Sequence, residues 1–257
     1  MADVLLSEFL KLKRSRILLL IPLGGLIPVL LMLLVYMDAK PGSLLKSYVF
    51  GWEYFLDVTL YYTNIICPAF FAILTGYVFT REYQHRTINT VFTYSFSRMK
   101  VFAAKVIVII PLMIATFLLT ILFTVAFGSL LTKDRILFDT LLDFFRINMG
   151  LVVIHLLLIP GAILVGIIGK NSIAPIVLGI LYLLCYALLN KPFSVYFPGC
   201  HPSLFATYLA TLLGKNHPVM THYELLPDIH TALRVLIFFF AVTFSASIIY
   251  YRNSDVN

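Results

Sequence analysis

Charged residues are scarce in this chain and are missing entirely from six long stretches. Asp, Glu, Lys and Arg make up 12% of the 257 residues, whereas a soluble domain carries about a quarter. None occurs in the ranges 17–37, 58–80, 106–132, 147–169, 171–190 and 235–251. A helix needs roughly 20 apolar residues to cross a hydrocarbon core about 30 Å thick, and a span near 17 still works. The scarcity of charge therefore excludes a water-soluble core and predicts six transmembrane helices.

Alternation of apolar and polar residues is also absent from these stretches. Membrane β-barrels show such alternation in segments of about ten residues, whereas the apolar runs here are continuous. We therefore expect an all-α, polytopic integral membrane protein in which residues 1–257 form a single transmembrane domain.

The motifs that bind ATP or catalyse reactions are missing as well. The segment 166–172, Gly-Ile-Ile-Gly-Lys-Asn-Ser, resembles a phosphate-binding loop, but the Walker pattern needs glycine at position 164, which is Leu164. The chain has no His-Glu-x-x-His motif and no paired glutamates, and no carboxylate falls within the predicted spans. We predict no catalytic residue and no cofactor in this chain. The same absences disfavour a proton- or sodium-coupled carrier.

Cysteine is too rare for a disulfide framework, because two of the three cysteines fall within predicted spans. The third, Cys200, lies in the breaker-rich segment 191–234 with a group of histidines, which raises the alternative of a metal site. Their spacings match no zinc pattern, so we predict no metal ligands among His201, His217, His222 and His230. His155, inside the fourth predicted span, is expected to make a hydrogen bond in helix packing.

The basic residues that are present divide unevenly between the connecting segments. With both termini inside, the inner segments hold eleven basic and four acidic residues, and the outer segments hold eight of each. This positive-inside bias predicts cytoplasmic termini, a cytoplasmic loop over 81–105 and an extracytoplasmic loop over 191–234. It also accounts for the net charge of +7 without a nucleic-acid partner.

Two connecting segments have amphipathic patterns. Leu5, Leu6, Phe9, Leu10 and Leu12 fall largely on one helical face, which predicts an N-terminal interfacial helix in contact with lipids of the inner leaflet. The alternative is a plain positive flank of the first span. Residues 133–146 predict a second amphipathic helix, on the outer surface.

The segment 81–105 is the longest inner connection and the most polar one. Glu82 follows the second span, Thr87 comes five residues later, a Ser97-Arg98 pair follows, and Lys105 opens the third span. This order resembles the cytoplasmic loop in the permease subunits of type-two ABC exporters, and the order of spans and loops agrees over the whole chain. The chain departs from the pattern in Ser95, where many members have proline, and in Arg86, where many have glycine.

The resemblance implies that a short helix over 87–94 docks in a cleft of a separate ATPase and acts as a lever. Glu82 would fix the lever, either by accepting hydrogen bonds from the loop or by pairing with Arg98. The implied coupling residues are Glu82, Arg86, Thr87, Ile88, Val91, Phe92, Arg98 and Lys105. The alternative is a solvated basic loop that only orients the protein in the membrane.

The resemblance also implies partners and a location. The chain would work in the bacterial cytoplasmic membrane as a homodimer or pseudo-dimer, with two copies of an ATPase that binds ATP and magnesium. It is most similar to permeases of bacitracin-resistance and lantibiotic-immunity exporters, so the implied cargo is an amphiphilic peptide or its lipid-linked complex. The alternative is a non-transporting scaffold that holds a cytoplasmic partner through the same loop.

Overall fold

The computed structural model describes residues 2–13, 15–38, 51–85, 87, 97–132, 135–188, 191–213 and 228–253. Regular structure in these ranges is helical and includes no strand, which confirms the all-α class. We name the longer helices α1 (Ala2–Lys13), α2 (Leu20–Asp38), α3 (Trp52–Gln84), α4 (Arg98–Leu131), α5 (Phe138–Gly169), α6 (Ile173–Leu188), α7 (His201–Leu212) and α8 (Ile229–Asn253). Short helical turns lie at Arg16–Leu19, Lys191–Ser194 and Pro198–Cys200.

Five helical segments of the described chain are long and apolar enough to cross a membrane. They are Arg16–Met37, which contains most of α2, together with α3, α4, α5 and α8, and they run from 22 to 34 residues. The sixth predicted span corresponds to α6, whose 16 residues fall short of the roughly 20 that a hydrocarbon core requires. The multi-pass architecture is thus confirmed, whereas the count of six spans remains a prediction.

Helix α3 occupies the centre of the bundle. It packs against α2, α4, α5, α6 and α7. The most apolar window is 67% buried in both α3 and α5 but only 22% buried in α8. Apolar side chains that stay exposed on the outer helices suit a lipid environment, because lipid tails are as apolar as leucine.

Two close contacts of α3 with its neighbours depend on glycine, one on Gly76 of α3 and the other on Gly128 of α4. A Cβ atom on Gly76 would lie 2.3 Å from Cβ of Pro175, and one on Gly128 would lie 2.4 Å from Cζ3 of Trp52. The first contact brings α3 against α6, and the second brings the start of α3 against α4. Small residues at such crossings let helix backbones approach closely in membranes.

Helices α3, α4, α5 and α8 extend beyond the spans predicted for them, and α4 and α5 do so by the most residues at one end. Helix α4 begins at Arg98 rather than at 106, and Ser97 caps it by accepting a hydrogen bond from the amide of Lys100 at 3.4 Å. Helix α5 begins at Phe138, so the separate surface helix predicted over 133–146 is wrong. Nothing in the sequence ends a helix near 146, and the polar residues there form the exposed first turns of the long helix.

Part of the segment predicted as an outer loop lies beside the spanning helices instead. Helix α7 packs against α5, with Leu209 so close to Gly150 that an added Cβ would lie 2.8 Å from Leu209 Cδ1. The turn before α7 packs at a different level along α5. There Gly199 lies against Tyr182, and the hydroxyl of Tyr182 lies against Gly161 of α5. Gly150 and Gly161 are about 16 Å apart along a helix axis. The chain therefore turns back into the bundle before α7.

Candidate coupling site

Five charged side chains lie together where α3 ends and α4 begins. They come from three helices, and we call them the charge cluster: Glu8, Lys11, Arg81, Glu82 and Lys105. Four have only 1–9% of the side chain exposed, and Lys11 is 35% exposed. Removing an ion from water costs free energy, so buried charges in a membrane protein are usually functional.

Lys105 occupies the middle of the charge cluster. Its ammonium group donates hydrogen bonds to Oε2 of Glu82 at 2.6 Å and to the backbone carbonyl of Val78 at 2.8 Å. It also lies 3.3 Å from Oε2 of Glu8. An ammonium group has three protons to donate, and these three oxygens can accept all of them. A single lysine on α4 therefore joins α1 and α3.

The other two cations complete the surroundings of the carboxylates. Lys11 pairs with Glu8 and lies 3.4 Å from Oε1 of Glu82, and Nε of Arg81 lies 3.4 Å from the same oxygen. Nη2 of Arg81 is 4.0 Å from Oε2 of Glu8. Three cations and two carboxylates give the cluster a formal charge of +1. Neutralising either carboxylate would raise this to +2 in a site with little access to water.

Glu8 reaches the cluster because of its position on α1. Val4 and Leu12, one helical turn before and after it, are 4% and 2% exposed, so all three share the face that packs on the bundle. Leu6, Phe9 and Leu10 are 51–60% exposed on other faces. The sequence analysis missed Glu8 because it considered only the apolar residues of this helix. The signal was present in the spacing of Val4, Glu8 and Leu12.

The connection between α3 and α4 starts from the charge cluster. The backbone amide of Thr87 donates to the carbonyl of Glu82 at 2.9 Å, and the Thr87 side chain is exposed. Of the two roles expected for Glu82, the structure thus provides hydrogen bonds from the loop, through its backbone. The expected pairing with Arg98 is wrong, because the Glu82 carboxylate is held by Lys105, Lys11 and Arg81.

The remaining predicted coupling residues lie outside the described part of the chain. They are Arg86, Ile88, Val91 and Phe92, and the helix predicted over 87–94 falls there too, apart from Thr87.

The end of α8 adjoins the same region. Nη1 of Arg98 donates to the backbone carbonyl of Arg252 at 3.1 Å. The preceding residue, Tyr251, is 1% exposed and packs against the rings of Phe79 and Phe102, with centroid distances of 6.5 and 5.3 Å. The first turns of α4 therefore contact α1 through Lys105 and α8 through Arg98. No pattern in the sequence pairs Arg98 with a backbone carbonyl 154 residues away.

The histidines that raised the alternative of a metal site lie in a different part of the chain. His201 is fully buried, and its Nε2 lies 2.9 Å from the carbonyl of Val195. Within the described ranges, no group of three or more His, Cys, Asp or Glu side chains is arranged to hold a metal ion. His217 and His222 lie outside those ranges.

The fold and this site define a multi-pass membrane protein whose buried charges lie at the start of a polar connection. Residues 4–186 match the family model described as ABC-2 family transporter protein, and the match contains the whole charge cluster. The chain belongs to this family. The family is a membrane transport domain without an ATPase site of its own, and it implies a partnering ABC ATPase subunit. No curated protein matches the chain.

Proposed function

We propose that this chain is the membrane-spanning subunit of an ATP-driven ABC exporter and that the charge cluster couples it to the ATPase. The family match supports the transporter role. The position of the cluster supports the coupling role, because Glu82 contacts α1 and α4 through its carboxylate and the connecting loop through its carbonyl. This double attachment of Glu82 is the observation that carries the proposal.

Buried ion pairs make a rigid joint for transmitting force. Separating one leaves an uncompensated charge away from water, which costs about 3–5 kcal/mol when a partner is removed. A displacement of the loop by a closing ATPase would therefore move α1, α3 and α4 together rather than break their contacts. Because α3 packs against most of the other helices, its movement would reach much of the bundle.

The other components of the exporter follow from the resemblance of the loop. Two copies of the ATPase would bind ATP and magnesium, and two copies of this chain, or a related pair, would form the membrane part. The cargo would be an amphiphilic peptide such as bacitracin or a lantibiotic, or its complex with a lipid. Its expulsion or release on the outer side would confer resistance on the bacterium.

Helix α1 would lie at the surface of the cytoplasmic leaflet. Only two residues separate its last residue from the turn Arg16–Leu19, which starts a candidate span, so α1 must lie close to the membrane boundary. Its unpacked residues Leu6, Phe9 and Leu10 fit among lipids, and the exposed Lys13 and Arg16 fit anionic headgroups.

The test is to purify the chain from its native membrane in mild detergent, to identify what copurifies and to measure ATP hydrolysis with and without bacitracin. We expect a stoichiometric ATPase. Glu82→Gln should reduce the stimulation by bacitracin about 5- to 150-fold, which corresponds to coupling free energies of about 1–3 kcal/mol. The control is Glu53→Gln, an exposed carboxylate at the other end of α3. Absence of an ATPase from intact protein would overturn the proposal and support the scaffold.

A further inference from the structure

Asn64 lies in the apolar part of α3 without a hydrogen-bond partner. Its side chain is 1% exposed, and neither its amide nitrogen nor its amide oxygen has a partner within the described part of the protein. Its neighbour Thr63 shows the usual arrangement, because the Thr63 hydroxyl donates to the carbonyl of Thr59 at 2.7 Å. A threonine hydroxyl can be satisfied by its own helix, whereas the amide oxygen of Asn64 needs a donor from elsewhere.

Two side chains on α5 each have one polar atom without a hydrogen-bond partner in the described part of the protein. His155 is 1% exposed, and its Nδ1 lies 2.7 Å from the carbonyl of Leu151, while its Nε2 has no partner in the described ranges. Asn148 is fully buried and donates to the carbonyl of Phe144 at 2.8 Å, and no described residue bonds its Oδ1. The hydrogen bond of His155 lies within α5, so the hydrogen bond between packed helices that was predicted for this residue is not found among the described residues.

The three side chains lie along one helix interface. The ring of His155 contacts the ring of Phe71 on α3, with centroids 5.3 Å apart. Asn64 precedes Phe71 by seven residues, and Asn148 precedes His155 by seven. Seven residues make about two turns, so each asparagine shares the face of the aromatic residue on its own helix. Both helices run in the same direction, since Gly76 and Gly166 also meet. Asn64 and Asn148 thus lie on the same side of the ring contact.

We propose that the α3–α5 interface is a binding site for a neutral hydrogen-bonding group. An amide or a hydroxyl has both a donor and an acceptor, which the amide of Asn64 requires, and the free atoms of Asn148 and His155 are suitable partners. The rings of Phe71 and of Phe117, 5.3 Å from His155, give the site apolar walls that suit an amphiphile. The nearest carboxylate on this face of α3, Asp57, lies two turns before Asn64, so a cation is not the expected ligand.

Two sources can supply this chemistry. One is a backbone amide or hydroxyl of the cargo, and this source rests on the proposed transport function. The other is water, which needs two to four polar partners in a buried site and does not depend on transport.

The deciding experiment compares two neighbouring substitutions in the full chain, purified and reconstituted in lipid nanodiscs. Asn64→Leu keeps the size and removes the amide. Without cargo, we expect the temperature of unfolding to rise by about 2–4 °C if the site is dry and to fall if a water is bound to Asn64. Thr63→Val removes the donor of a hydrogen bond that is already formed and should lower the temperature of unfolding in either case. A rise for Asn64→Leu without any loss of the response to bacitracin would overturn the proposal.

ATP hydrolysis by the complete transporter, with bacitracin as the probe, separates the two sources. If the cargo supplies the group, Asn64→Leu should raise the bacitracin concentration for half-maximal stimulation about tenfold. If water supplies it, the bacitracin response should match that of the parent protein. Because the unfolding measurement needs no ATPase, failure of the proposed exporter function would leave this test of the site intact.

Discussion

Lys105 of α4 and Glu82 of α3 form a buried ion pair with 2.6 Å between Nζ and Oε2. The pair lies where the two helices meet, and each partner also contacts α1. This relationship gives a physical meaning to two residues that the sequence analysis singled out only by resemblance.

Loss of Lys105 should strongly destabilise the protein. Lys105→Met retains the length of the side chain but leaves two buried carboxylates with one cation fewer, so we expect a loss of about 3–5 kcal/mol in the free energy of unfolding. Denaturation in detergent micelles measures it. Glu82→Gln combined with Lys105→Met should cost less than the two single changes added together, because the double variant leaves fewer unpaired charges. The control is Arg146→Gln in an exposed pair with Asp143, which should cost under about 1 kcal/mol.

Glu8 should be required for coupling although it lies on the N-terminal helix. Glu8→Gln removes the charge that faces Lys105 and Arg81, so α1 should be held less tightly to α3 and α4. We expect stimulated ATP hydrolysis by the purified complex to fall while the ATPase still copurifies. Asp3→Asn, an exposed carboxylate on the same helix, should have no effect. Equal losses in the two variants would argue against a specific role for Glu8.

A methyl group added at the contact between Gly76 and Pro175 should destabilise the protein. Gly76→Ala places a Cβ 2.3 Å from the proline ring and should separate α3 from α6. Overpacking of this kind costs about 1–3 kcal/mol, measurable as a lower temperature of unfolding. A second substitution, Pro175→Gly, should restore part of the loss because it removes both Cβ and Cγ, the two atoms that clash. If the proline change gave no recovery in the Gly76→Ala background, this account of the contact would be wrong.

The lipid contact of α1 can be measured by fluorescence. The chain has one tryptophan, Trp52, so Trp52→Phe gives a background in which Phe9→Trp carries the only indole. In liposomes of brominated phospholipid, we expect strong quenching at position 9, because Phe9 is 51% exposed on an unpacked face. Ser7→Trp in the same background should be quenched less, because Ser7 is exposed but lies about 160° from Phe9 around the helix axis. Similar quenching at the two positions would contradict an interfacial orientation of α1.

The sequence was sufficient for the class of fold because missing charge is a strong signal. The apolar runs predicted multi-pass helices, and the pattern of loop 81–105 led to the family. The sequence did not predict the charge cluster, because the side chains of residues 8 and 105 meet only through tertiary packing. Arg81 and Lys11 were counted as loop charges, although packing buries the arginine and brings the lysine to Glu82.

The turn that precedes α7 was missed for a related reason. Its prolines and Gly199 are typical of an exposed loop, and only their packing against Tyr182 brings them into the bundle. A local pattern reports which backbone conformation a segment favours but not what covers it.

The contacts of α4 with α1 and α8 also constrain how the protein is made. The hydrogen bond from Arg98 to Arg252 joins residues 154 positions apart, and Lys105 meets a residue near the start of the chain. Contacts of such long separation form late, after the intervening loops have been closed. A nascent chain that still lacks α8 can assemble its ion pairs but not this last contact. Formation of the contact between Arg98 and Arg252 therefore reports that α8 has been inserted.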